Sequence, residues 1–139
     1  MHQRLKEMMA GTIWKNFGAE IVEADYGNVL VRMPIKAEMT QLHGTVHGGI
    51  LATLADMAMA AAVNSTVSEH EFTVTAEMKV NYLRAGKGNY LTARGTLIKR
   101  GKTLSHCQAE VHDDTGKQVC FAVATFYMFT KDAVHEKSD

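Results

Sequence analysis

Apolar positions along this chain follow first a helical and then a strand period. Leu5, Met8, Met9, Ile13 and Trp14 recur at helical spacing, which predicts an amphipathic helix over about residues 2–16, docked on the body of the protein. Glu20–Ala24 and Asn28–Ile35 read as strands joined at Asp25–Tyr26–Gly27, a hairpin signal. Pro34 places a sheet edge or a strand end there, because proline cannot donate to a ladder. Residues 37–46 form a polar loop. From Ile50 to Val63 nearly every residue is apolar or small, the pattern of a helix buried on all sides. It should start at His47–Gly49 and stop at Asn64 as C-cap residue. Val74, Ala76, Met78, Val80 and Tyr82 then alternate with Thr73, Thr75, Glu77, Lys79 and Asn81, a period of two. Tyr90–Arg100, Leu104–Asp113 and Val119–Phe129 follow as strands. Gly86–Lys87–Gly88, Gly101–Lys102 and Asp113–Asp114–Thr115–Gly116 mark the turns.

Long consecutive strands with short turns predict an antiparallel meander. The single apolar helix must be covered by that sheet. The expected α+β architecture is a curled antiparallel sheet wrapped around a central helix, with a short helix at the N-terminus. One residue breaks this pattern. Asp56 lies in the middle of the apolar helix, and its helical neighbours Ala52, Thr53, Met59 and Ala60 include no cation. Carboxylates are seldom buried unpaired, so Asp56 is either a structural residue with a distant partner or a chemical group.

Composition narrows the function classes. The 139 residues suit one domain, 1–139, with a single core. Fifteen basic residues balance fifteen acidic ones, so no overall field favours nucleic acid or an anionic membrane. The opening MHQRLKEMM carries charges throughout and lacks the apolar stretch of a secretory signal. The longest apolar run is too short to cross a bilayer. Cys107 and Cys120 form neither a CxxC pair nor a disulfide framework, which fits a reducing cytoplasm and packed thiols. His106 beside Cys107 leaves a nucleophilic cysteine as the alternative. No repeat or low-complexity tract is present.

Other residues invite chemistry. Gly48 and Gly49 open the apolar helix, where free N–H groups and the positive dipole end favour an anion or a developing oxyanion. A tight turn explains the same glycines. His43 and His47 form an HxxxH pair, but without an acidic HExxH pattern they do not make a metal site. Arg84, Lys87, Lys99, Arg100 and Lys102 gather at two turns, either as solvated charges or as a rim for a phosphate-bearing ligand. Unaided, Thr75 is a strand hydroxyl and Gln41 an ordinary loop residue.

HGTVHGGILATLAD followed by VTAEMKVNYLRAG resembles the hot-dog-fold acyl-CoA thioesterases of the 4-hydroxybenzoyl-CoA thioesterase superfamily. The likeness is to the phenylacetate-degradation (PaaI-like) and human acyl-thioesterase-13-like branch, and it runs from about residue 17 to 129. The resemblance implies a hot-dog fold and hydrolysis of an aryl- or medium-chain fatty-acyl-CoA to acid and coenzyme A. It places the catalytic carboxylate at Asp56, as general base or as nucleophile. The amide that polarises the thioester carbonyl falls at Gly48, and the water-positioning hydroxyl at Thr75. Gln41 stands where relatives often have Asn, and with His47 it would orient the thioester. Coenzyme A is part of the substrate and would meet the five cations; no further cofactor or metal is implied. Another hot-dog enzyme, an enoyl-CoA hydratase or acyl-carrier-protein thioesterase, and a non-catalytic acyl-CoA sensor are the alternatives. Side chains such as Met57, Met59, Ala60 and Val63 should shape the acyl pocket, together with residues of a neighbouring subunit.

Helix geometry carries a further expectation. Gly48 and Asp56 are eight residues apart, about 12 Å along an α-helix. One helix cannot readily offer both to a single carbonyl, whereas two antiparallel helices can. The site should be shared across a two-fold homodimer, and the resembling family pairs such dimers into tetramers.

Overall fold

A computed structural model describes residues 1–131. Two short helices, α1 (Gln3–Met9) and α2 (Thr12–Phe17), precede a hairpin of β1 (Glu20–Asp25) and β2 (Asn28–Pro34). A 3-10 turn at Ala37–Met39 leads to the long helix α3 (Gly48–Asn64), followed by β3 (Glu71–Tyr82), β4 (Tyr90–Lys99), β5 (Leu104–Asp113) and β6 (Gln118–Thr130). The expected single helix over 2–16 is therefore two. Gly11 turns extended, with φ −72° and ψ 157°, and becomes the N-cap of α2. Glycine is a poor residue for a helix interior, and the break lets Leu5 and Trp14 both reach the core.

The six strands form one antiparallel sheet in the order β1-β2-β4-β5-β6-β3. Only β4, β5 and β6 make the expected meander. β3 does not pair with β4; it lies at the far edge beside β6. The chain crosses the concave face as α3, enters the far edge as β3, and returns through residues 83–89 to pair β4 with β2. Pro34 closes β2 opposite Tyr90, the strand-end position its missing N–H allows. Helix and sheet approach closely at Gly95 on β4. A Cβ built there would lie 2.0 Å from the Ala58 carbonyl oxygen.

α3 is not buried all round. Its inward residues, from Leu51 and Leu54 to Ala62 and Val63, are sealed in the core. Gly49, Ala52, Thr53, Asp56 and Ala60 keep accessible surface and share one narrow face by their spacing. Met57, Met59 and Val63, expected to shape an acyl pocket, are at most 5% exposed and belong to the core. Asn64 is the last helical residue rather than the cap, which is Ser65. Its side-chain amide donates to Ala60 O and Thr73 Oγ1.

The alternation in β3 is interrupted by a bulge. Thr75 pairs with Phe126 and Glu77 with Thr125, leaving Ala76 as the extra residue. Cross-strand partners share a face, and Met128, Phe126, Ala124, Ala122 and Cys120 point into the core. Their partners Thr73, Thr75, Met78, Val80 and Tyr82 therefore face α3. A strict period of two would have placed Thr75 with Glu77 on the opposite side. The bulge turns this polar pair of threonines inward.

Candidate active site

The start of α3 is held by backbone hydrogen bonds from several sides. His47 N–H donates to Met39 O, Val46 N–H to Gly86 O, and Gln41 N–H to Thr45 O. Gly44, at φ +77°, completes the tight loop between them. His47 is the N-cap, and its Nδ1 accepts from Gly49 N–H at 2.9 Å. An accepting Nδ1 carries no proton, so the neutral ring presents Nε2–H. A Cβ at Gly49 would come within 3.1 Å of that Nδ1, so glycine serves the cap there.

Gly48 N–H, at the first helical position, has no protein acceptor among the described residues. It is an orphan donor at the positive end of a seventeen-residue helix. On the side where a Cβ would project, the Tyr82 ring lies 3.5 Å away, at ordinary van der Waals distance. Tyr82 also donates its hydroxyl to Gly48 O at 3.1 Å. A cleft of about 290 Å³ runs past this point, lined by Gln41, Val46, Gly48, Tyr82 and Arg84. Gln41 thus does reach the Gly48 cleft, its Nε2 3.3 Å from Thr45 Oγ1.

Asp56 is half-buried on the open face of α3. Its Oδ1 accepts from Thr75 Oγ1 at 2.8 Å, and among the described residues no cation bonds it. Burial pushes its carboxyl above the ordinary value of 3.8, and the Thr75 hydrogen bond opposes part of that rise. The carboxyl thus holds a proton more readily than a solvated one, and a hydroxyl fixes one of its oxygens.

The structure therefore assembles two groups rather than one. Gln41, His47 and Gly48 meet at the helix start, while Asp56 and Thr75 meet two turns further on. The cations also divide. Arg84 and Lys87 lie beside the Gly48 end and line a neighbouring pocket of about 480 Å³ with Lys117, Asp113 and Asp114. Arg100 lies at the other end of α3, hydrogen-bonded to Thr66 Oγ1 and forked onto both Glu71 oxygens at 2.7 Å. Lys102 and Lys99 are exposed on the same turn. Arg84 Nε donates to Gln118 O.

The cysteines are poor nucleophiles. Both are buried, and burial pushes Cys107 up to about 12 and Cys120 up to about 11. Among the described residues, no three His, Cys, Asp or Glu side chains converge to hold a metal. Tyr82 is the residue the sequence did not single out. As the last apolar member of an alternating run it read as packing; only its location one strand-end away from the orphan amide gives it another role.

A model of the thioesterase superfamily matches residues 43–120, which contain both groups except Gln41. A thioesterase family protein from Silicibacter pomeroyi superposes with TM-score 0.89 at 28% identity, over 93% of this chain and 98% of that one. The E. coli PaaI protein, from the phenylacetic acid degradation operon, superposes with TM-score 0.84 at 28% identity, over 91% of each chain. The 1,4-dihydroxy-2-naphthoyl-CoA hydrolase of Listeria monocytogenes is 25% identical over 111 residues, 80% of this chain and 90% of its own length.

Proposed function

The chain belongs to the thioesterase superfamily, and from that premise we propose that it hydrolyses an aryl- or medium-chain fatty-acyl-CoA to the free acid and coenzyme A. The observation that carries this reading is Asp56, a half-buried carboxylate in an apolar helix whose only hydrogen-bond partner among the described residues is the Thr75 hydroxyl. Thr75 spends its proton on Asp56, so its oxygen lone pairs remain to accept from a water. Asp56 takes that water's other proton as the water oxygen attacks the thioester carbon. The electron pair displaced onto the carbonyl oxygen is stabilised by Gly48 N–H, with Gln41 and the Nε2–H of His47 orienting the group. Collapse of the tetrahedral species breaks the C–S bond. Protonated Asp56 then returns its proton to the departing thiolate, restoring the carboxylate.

The two halves of this site come from two chains. About 12 Å of helix separates Gly48 from Asp56, and three features favour an antiparallel copy alongside. The open stripe on α3 is made of small residues, Asp56 lies in that stripe, and β3 is a free edge of the sheet. Setting Gly48 of one chain against Asp56 of the other lets the second helix run on for eight residues, about 12 Å, past Gly48. The Arg100 turn sits at that far end. Lys99, Arg100 and Lys102 of one chain therefore approach the Gly48 end of its mate, where Arg84 and Lys87 already lie. Together they form a cationic rim for the phosphates of coenzyme A. Association of two such dimers gives the tetramer that the resemblance implies.

The reading is tested by thiol release from aryl-, short-, medium- and long-chain acyl-CoAs, with Asp56→Ala as control. Mixing Asp56→Ala chains with Gly48→Pro chains should restore part of the activity, because each heterodimer regains one intact site. Near-normal turnover by Asp56→Ala would refute the chemistry. No recovery in demonstrated heterodimers of folded chains would refute the shared site.

A further inference from the structure

We infer that Tyr82 is a positioning residue, whose hydroxyl holds the Gly48 carbonyl and so fixes the residue whose N–H polarises the thioester, and whose ring walls the thioester cleft. The inference rests on the reading of Gly48 as the carbonyl-polarising group. First turns of helices are where helical structure frays, and a donor that stabilises an oxyanion must be held before the reaction begins. Backbone hydrogen bonds hold the loop leading into α3, and His47 caps it from within. Tyr82 is different because it ties the first helical residue to another strand. Its Oη lies 3.1 Å from Gly48 O, and its ring atoms stand 3.5 Å from the position a Gly48 Cβ would take. The ring thus stands at van der Waals distance on the side toward which a Gly48 side chain would project.

Tyr82 is nevertheless 54% exposed. A residue serving the core alone would be covered; this one presents its other side to the cleft that Gln41, Gly48 and Arg84 also line. The strand joins it to the rest of the site. β3 delivers two hydroxyls to α3, Thr75 to Asp56 and Tyr82 to Gly48. Both reach the helix because the bulge at Ala76 sets the inner face of the strand. The carboxylate and the amide are therefore each tethered to the same strand.

The test uses the full-length protein and compares Tyr82→Phe, which loses only the hydroxyl, with Tyr82→Leu, which also loses the ring. Tyr82→Phe should lower kcat about fivefold, the effect of one hydrogen bond, with KM for acyl-CoA little changed. Tyr82→Leu should lower kcat further and raise KM. The second readout is the carbonyl stretch of a bound ketone analogue of acyl-CoA, in which a methylene replaces the sulfur. Wild type should shift this band to lower frequency, and Tyr82→Phe should move it back toward the free value. A merely structural tyrosine would lower the melting temperature without moving the band. Wild-type kcat and an unmoved band in Tyr82→Phe would overturn the inference while leaving the thioesterase reading in place. Absence of turnover and of any band shift in the wild type would instead overturn the reading on which it rests.

Discussion

Thr75→Val gives a direct measure of the tether on Asp56. The substitution keeps the shape of the side chain and replaces with a methyl the hydroxyl whose oxygen lies 2.8 Å from Asp56 Oδ1. Two consequences follow. Burial raises the Asp56 carboxyl and the Thr75 hydrogen bond lowers it, so removing the bond leaves burial unopposed and the carboxyl rises further. The base must be ionised to accept a proton, so the acidic limb of the pH–kcat/KM profile should move to higher pH. The hydrogen bond also orients the carboxylate. A bond to a charged group contributes about 1.5–3 kcal/mol when enclosed, but this pair is partly solvated and screened, which reduces it to about 1 kcal/mol. That corresponds to about fivefold in kcat on the pH plateau. KM should change little, because in the proposed mechanism the hydroxyl holds the attacking water and not the acyl group. The assay is thiol release by Thr75→Val, Thr75→Ser and wild type across the acidic limb of the pH profile. Thr75→Ser retains the hydroxyl and should keep the wild-type limb. A limb that stays in place, or moves to lower pH, in a folded Thr75→Val enzyme would refute the assignment of Thr75 as the group holding Asp56.

Asp56→Asn should lose activity by about 10²–10⁴-fold and yet gain stability near neutral pH. A carboxyl raised by burial favours folding only while protonated. Its contribution is present below the ordinary value of 3.8 and is lost as pH rises through the higher folded value; melting temperatures of the two proteins should therefore diverge above that window and converge below it. Gly95→Ala should destabilise the fold by about 3 kcal/mol or more, as read in denaturant, because the new methyl would sit 2.0 Å from a helix carbonyl that the buried core prevents from withdrawing. Lys102→Ala should raise KM for acyl-CoA but not for an acyl-pantetheine that lacks the nucleotide phosphates. Arg100→Ala is a less clean probe, since it also strands Glu71, and equal effects of Lys102→Ala on both substrates would contradict a nucleotide contact at this turn.

Strand and helix positions were legible because they depend on local periodicity. The hairpin at Tyr26–Gly27 follows from turn chemistry, and Gly27 does adopt φ +70°. The anomaly of Asp56 was also visible, since a carboxylate stands out in an apolar helix wherever that helix packs. The motif around Gly48 carried the family. The wrapping of an antiparallel sheet around the apolar helix was legible too, but which strands pair and which side chains meet was left open. Period-two counting put Thr75 on the same face as Glu77; pairing with β6 inserted a bulge at Ala76 and turned Thr75 onto Asp56. A bulge is a mismatch between two strands, and one strand's pattern does not contain it. Tyr82 read as packing because nothing local announces that a strand end will meet a helix start. Met57 and Met59 looked like pocket walls, but the wrap of the sheet sealed them in the core and left only the stripe through Asp56 open. Arg84 and Arg100, read as cations at two separate turns, stand at opposite ends of α3, because the chain runs from β3 at the far edge back to β4 beside β2. Local residue choice thus determined which chemical groups the chain possesses. The order of the strands and the closing of the sheet on α3 decided which of those groups touch.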